Sequence, residues 1–149
     1  GEESWSFLSS SSSKLLDRFK GFSSLGDLCE IERGLETGCD EVFFLQISPR
    51  EEMKACLLVA SKAATRPFRI EKAVVRSLVK GSADIRRYFI ENGGRALVFP
   101  YSRKDEKPVL IEPTSFARDF PLAWKYLNDN SSQLKARGKN EWYAFRRRN

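Results

Sequence analysis

The chain has 149 residues, 41% hydrophobic and 31% charged, an ordinary globular composition long enough for one buried core. It contains no histidine, which removes Ser-His-Asp and Cys-His catalysis and leaves only carboxylates and lysines for acid–base work near neutral pH. The net charge of +6, with an isoelectric point near 9.4, favours a polyanionic partner through phosphate neutralisation, although charge alone does not distinguish nucleic acid from a well-solvated surface.

Five serines at positions 9–13 read as a flexible lead-in, with Ser13 able to cap a helix over about residues 14–20. That helix would bury Leu15, Leu16 and Phe19 and stop at Gly21. Residues 25–33 alternate apolar and polar around Leu28–Glu32, which predicts a strand with one buried face. Gly34 and Gly38 then bracket a turn. Segment 41–47 reads as a second strand, with Val42, Phe44 and Gln46 on one face and Phe43, Leu45 and Ile47 on the other. A polar link over 48–54 leads to a strand around 55–61 and a loop through Arg66 and Pro67.

Residues 70–79 place Ile70, Ala73, Val74 and Leu78 on one helical face, and Gly81 is a natural stop. Segments 95–102 and 108–113 flank a polar tip at 103–107, a hairpin signal. A last helix over about 120–136 begins with Asp119 as cap and Pro121 in its first turn. It carries Phe120, Trp124, Leu127 and Leu134 as one apolar stripe, and Gly138 interrupts it. The elements do not alternate as strict βαβ units, so the expected class is α+β with a mixed or antiparallel sheet, hairpins and several helices.

Cys29, Cys39 and Cys56 are odd in number and widely spaced, and they read as small buried residues in a reducing compartment. The near-apolar stretches 42–47 and 56–60 fall far short of the roughly 18 residues of a membrane span. The acidic, serine-rich start lacks the pattern of a signal peptide. The expectation is a cytoplasmic protein with no membrane partner.

Three segments carry candidate chemistry. In 31–44, glycines four residues apart permit positive φ and close backbone approach, with Arg33 as a cation and Thr37 as a hydroxyl donor; a simple tight turn explains the same spacing. In 78–88, Lys80, Arg86, Arg87 and Tyr88 lie close together, suited to phosphates or to a guanine edge, and equally to a solvated basic turn beside Asp84. The hairpin tip offers Tyr101, Arg103, Lys104 and Lys107 to a phosphate backbone, diluted by Asp105 and Glu106. Trp124, Tyr126 and Trp142 could stack on bases, but their helical spacing favours core packing. There is no Asn-Pro-Pro-aromatic sequence, no Gly-Lys-Ser/Thr phosphate loop, and no partner acid for Asp105-Glu106-Lys107.

Taken in order, these segments resemble the TaqI-like C-terminal specificity domain of adenine-N6 DNA methyltransferases and fused restriction–modification enzymes. Residues 25–45 are similar to that family's Gly-x-x-Thr-Gly signature, and 70–88 to its helix followed by Asp-Ile-x-Arg-Tyr. Residues 96–102 are similar to its apolar strand ending in Pro-Tyr, and 119–147 to its Tyr-Leu, Leu-x-x-Arg and Trp-Tyr succession. The resemblance implies a target-recognition domain over 25–149, preceded by a lead-in with a short helix over 1–24 and shorter at its C-terminal end than is usual in the family. It implies double-stranded DNA as partner, read in the major groove. No cofactor is expected in this chain, and S-adenosylmethionine belongs to a catalytic methyltransferase domain of the same polypeptide in a bacterial cytoplasm.

Carried over by position, Arg33, Thr37, Lys80, Arg86 and Arg87 are the expected DNA-facing residues, joined by Arg103 and Lys104 at the tip, with Gly34 and Gly38 shaping the signature loop. The signature can also serve folding alone, with base readers in 48–69 and 102–108. Two other classes stay open: a protein-interaction module using the Phe120–Leu134 stripe, and a small carboxylate-using hydrolase.

Overall fold

The computed structural model describes residues 10–30, 34–52, 54–90, 93–105, 107–138 and 141–147. These fall into two units, the first running to Gly34 and the second starting at Leu35. Residues 25–34, expected to open the target-recognition domain, belong to the first of these units.

In the first unit, α1 (Ser10–Asp17) starts inside the serine run, so Ser13 lies within the helix and does not cap it. Leu15 and Phe19, expected to be buried, are both 57% exposed. The expected strand at 25–33 is instead a single helical turn, α2 (Leu25–Leu28). Ser24 donates both its amide and its hydroxyl to the Asp27 carboxylate, at 2.8 and 2.7 Å. This local capping contact holds helical geometry that alternation alone did not reveal. Residues 31–33, and Arg33 with them, lie outside the described residues.

The second unit is α+β and its strands pair antiparallel. The stretch expected as one strand at 41–47 is divided. Its first part is a helical turn, α3 (Asp40–Phe43), and β1 (Phe44–Glu52) continues through the supposed polar link. β2 (Cys56–Ala60) forms as expected. The expected helix at 70–79 is absent: β3 (Phe68–Glu71), a 3₁₀ turn (Lys72–Val74) and β4 (Val75–Ser77) take its place. The buried Ile70 and Val74 fit helical spacing, but Val75 beside them is buried too, all three are β-branched, and pairing of 68–71 with β2 and of β4 with its neighbour decides the conformation.

Gly81 therefore opens a short helix, α4 (Gly81–Asp84), where it had been expected to end one. A small hairpin follows, β5 (Ile85–Arg86) and β6 (Phe89–Ile90), before the chain returns as β7 (Arg95–Val98). The main sheet has the order β3-β2-β1-β7-β4. The β5–β6 hairpin is thus an excursion between two adjacent strands of that sheet. Pro100 separates β7 from β8 (Tyr101–Lys104), which pairs with β9 (Lys107–Leu110). The expected hairpin exists but begins at Tyr101, because 95–98 belongs to the main sheet.

Three helices close the unit where one was expected: α5 (Pro113–Asp119), α6 (Pro121–Asp129) and α7 (Ser131–Lys135). Asp119 ends α5, and Phe120 occupies the cap position of α6. Phe120 has no polar side chain to cap with, so Glu71 of β3 accepts the amides of Leu122 and Ala123 at 2.7 and 2.9 Å. Phe68 stacks on Tyr126 at a centroid distance of 4.2 Å, which seats α6 on β3. Direct cross-strand partners share a face. One face of the sheet, carrying Leu45, Leu57, Val59, Ile70, Val75, Ala96 and Val98, supplies its buried residues to the core with Phe43, Phe116, Leu127, Leu134 and Phe145.

The cysteines depart from expectation, since Cys29 is exposed and Cys39 and Cys56 are only half-buried; all are free. Among the described residues no helix is long and apolar enough to cross a membrane.

Candidate nucleic-acid interface

The register places Phe44, Gln46, Leu58, Arg69, Arg76, Arg95 and Leu97 on the other face of the sheet, where Leu97 is itself buried and Phe44 packs against the core. Arg69, Arg76 and Gln46 are exposed there. Lys80 reaches the same face, its ammonium 5.9 Å from the centre of the Phe44 ring. A cavity of about 380 Å³ opens between Phe44, Gln46, Lys62, Lys80 and Arg95, with Asp40 and Glu41 also on its wall. Both acids have partners: Asp40 accepts the Thr37 hydroxyl at 2.6 Å, and Glu41 accepts from Gln133 at 3.0 Å.

Gly94 holds the edge of this face. Its φ is +69°, and a Cβ there would meet the Gln46 amide nitrogen at 2.9 Å. Gln46 itself donates to the Gly93 carbonyl at 2.7 Å. Glycine is needed here on both counts, left-handed backbone and close approach.

The excursion between β4 and β7 is anchored by one buried acid. Asp84 is 2% exposed and is ion-paired with Arg95 of β7. The other oxygen of its carboxylate accepts the Lys80 amide at 2.7 Å. A carboxylate this buried needs such partners to remain charged. The consequence is positional: the Asp84–Arg95 pair ties the foot of the β5–β6 hairpin to the main sheet. Above it, Arg86 and Arg87 are exposed, and Tyr88 is 96% exposed.

Of the residues expected to face DNA, then, Lys80 lies on the open sheet face, and Arg86 and Arg87 are on the hairpin that leaves it. Arg103 and Lys104 are exposed on β8, next to the turn residue Asp105.

Thr37 has another role. It is 1% exposed, and its hydroxyl both donates to Asp40 and accepts the Cys39 amide at 3.1 Å, which organises the start of α3. Gly38, at φ +72°, approaches the C-terminal segment so closely that a Cβ would meet the Arg146 Cβ at 3.0 Å. The Thr37 carbonyl accepts from Arg137 at 2.5 Å, and Arg137 also donates to the carbonyls of Leu134 and Trp142. Burial lowers the Arg137 pKa. The Thr-Gly part of the signature is therefore a folding element that the C-terminal segment closes over. Gly34 is exposed, and a Cβ there would meet open space.

Arg69 lies in the 48–69 stretch, the alternative location for base readers, whereas Arg76 and Arg95 give no local signal, because 70–79 carries helical spacing and 95–102 reads as part of a hairpin. Arg76 donates to the Ala73 and Val75 carbonyls at 2.8 and 2.9 Å, and its guanidinium lies 5.8 Å from the Phe99 ring centre.

Trp124 and Trp142 belong to an aromatic cluster with Phe116 and Tyr143, and Tyr126 donates to the Val42 carbonyl at 2.7 Å. Burial pushes the Tyr126 hydroxyl up to about 12. Leu127 and Leu134 of the expected interaction stripe are fully buried, and Phe120 and Trp124 are packed against the core. Among the described residues, no group of three or more cysteines or carboxylates is placed to hold a metal ion. No protein-family model matches the chain, and no curated protein matches it.

Proposed function

We propose that this chain is the DNA-reading, target-recognition module of a bacterial adenine-specific DNA methyltransferase or fused restriction–modification enzyme, non-catalytic by itself. The observation that carries the reading is the joining of Lys80, Arg86 and Arg87 to the open, arginine-bearing face of the sheet through the buried Asp84–Arg95 pair. Cations held on a rigid base suit a phosphate backbone, whose contacts set register while nearby side chains reach base edges. The ordered motif resemblance and the net charge of +6 point the same way. In this reading S-adenosylmethionine is bound by a catalytic domain of the same polypeptide outside this chain, and the working compartment is the bacterial cytoplasm.

The protein-docking alternative loses its expected surface, because the Phe120–Leu134 stripe is packed into the core. The test of the DNA reading is binding of this chain to a long random-sequence duplex at low salt, by gel shift. Binding is expected, with log affinity falling against log salt by roughly 0.9 per phosphate contacted. Absence of binding at low salt would refute the reading.

A further inference from the structure

Tyr88 occupies the outermost position of the β5–β6 hairpin and is 96% exposed. Beside it Phe89 is 62% exposed, and Arg86 faces Phe89 across the two strands. The two-residue turn is Arg87–Tyr88, and Arg87 holds φ +48°, a left-handed conformation unusual for a long side chain. Asp84 beneath the hairpin is ion-paired with Arg95, and Glu91 follows the hairpin directly in the sequence. An aromatic ring presented in water at the end of an anchored hairpin, with arginines on both sides of the turn's start, has the make-up of a nucleobase contact. The ring faces a base, and the cations face the phosphates that flank it.

We infer that the β5–β6 hairpin is a nucleobase-stacking probe, in which Tyr88 stacks on the face of a base while Arg86 and Arg87 hold the adjoining phosphates. This rests on the DNA reading above and adds a mode of contact to it: recognition of an unstacked base, in a kinked duplex step or a single strand, in addition to hydrogen bonds on base edges. Both sources offer the same π-face. A protein partner for the exposed Ile85, Phe89 and Ile90 is the competing occupant, and the same experiment separates it.

Fluorescence anisotropy would compare the full chain with Tyr88→Ala and Tyr88→Phe on a random-sequence duplex and on a single strand of the same length, each over a salt series. Because Tyr88 is nearly fully exposed, neither variant burdens the fold. The expected result is that Tyr88→Ala weakens binding about 5- to 150-fold, the range for losing one base stack, on at least one of the two ligands. Tyr88→Phe should stay within about threefold of the wild type, since the ring is kept. The salt slope of Tyr88→Ala should match the wild type, because no phosphate contact is lost. The ligand that shows the Tyr88 dependence identifies the source of the base.

Unchanged affinity of Tyr88→Ala on both ligands overturns the inference and leaves the hairpin to a protein partner, while the DNA reading stands. A weaker Tyr88→Ala with a smaller salt slope also overturns it, because phosphate contacts and not a stack would have been lost. If the wild type binds neither ligand, both readings fall together.

Discussion

The second unit contains two hairpins with the same backbone plan and opposite chemistry. Arg87 opens the turn of β5–β6 and Asp105 that of β8–β9, and both hold φ +48°. In β8–β9 that residue is an aspartate, a type that visits the left-handed region readily, and it adds negative charge beside Arg103, Lys104 and Lys107. In β5–β6 it is an arginine, followed by a tyrosine in open water. Backbone geometry alone therefore does not select these tip residues. The acidic tip suits its turn, whereas the basic aromatic tip departs from what the turn prefers, which is what a surface kept for a ligand would show.

Their anchors differ too, and that gives the largest expected effects. The β5–β6 hairpin depends on an ion pair. Asp84→Ala would leave the Arg95 guanidinium partly buried without its carboxylate and remove the acceptor of the Lys80 amide, at a cost of about 2 to 3 kcal/mol. Denaturant unfolding measures this, and hydrogen exchange should show loss of protection confined to 80–95 while β8–β9 stays protected. Equal loss in both hairpins would mean that Asp84 is a general core residue.

The β8–β9 hairpin depends on a neutral hydrogen bond, from the buried Phe145 amide to the Tyr101 hydroxyl at 2.7 Å. Tyr101→Phe should cost only about 1 kcal/mol and leave DNA affinity unchanged. A drop in affinity without loss of stability would place that hairpin in the interface after all.

The smallest effect concerns the turns. Arg87→Gly relieves a left-handed arginine and should raise stability by about 0.5 kcal/mol while weakening DNA binding. Asp105→Gly should change stability by less than that and leave binding alone, since aspartate already tolerates the conformation. Thermal melts of the two variants under one buffer decide the ranking, and a larger gain for Asp105→Gly would reverse the account of the turns.

Much of this arrangement was legible in the residues. Apolar runs located β1 and β2, Pro121 located the start of α6, and the mixed order of elements indicated α+β. Misreadings arose where a local signal and a distant contact compete. Residues 70–79 carry helical spacing, but strand pairing on both sides of Val74 overrides it. Leu28 alternates with its neighbours, yet the Ser24–Asp27 cap winds that segment into a turn. Asn130, as the cap between α6 and α7, breaks what spacing alone joins into one helix. For the candidate site, the basic cluster at 80–88 was visible in the sequence, but its anchor Arg95 lies eleven residues from Asp84 and gave no local signal. Thr37 is the reverse case, a polar residue in a glycine turn whose burial depends on the C-terminal segment folding over it.

In the proposed reading the β5–β6 side of the molecule holds duplex DNA, with Arg103 and Lys104 of β8 as the competing contact. The most direct test is the salt dependence of duplex binding for the double variants Arg86→Ala/Arg87→Ala and Arg103→Ala/Lys104→Ala beside the wild type. The first pair should lower affinity and reduce the log–log slope by about 1 to 2, one unit for each phosphate contact removed, while the second should leave both within error. A reduced slope for Arg103→Ala/Lys104→Ala, with Arg86→Ala/Arg87→Ala behaving as wild type, would contradict it.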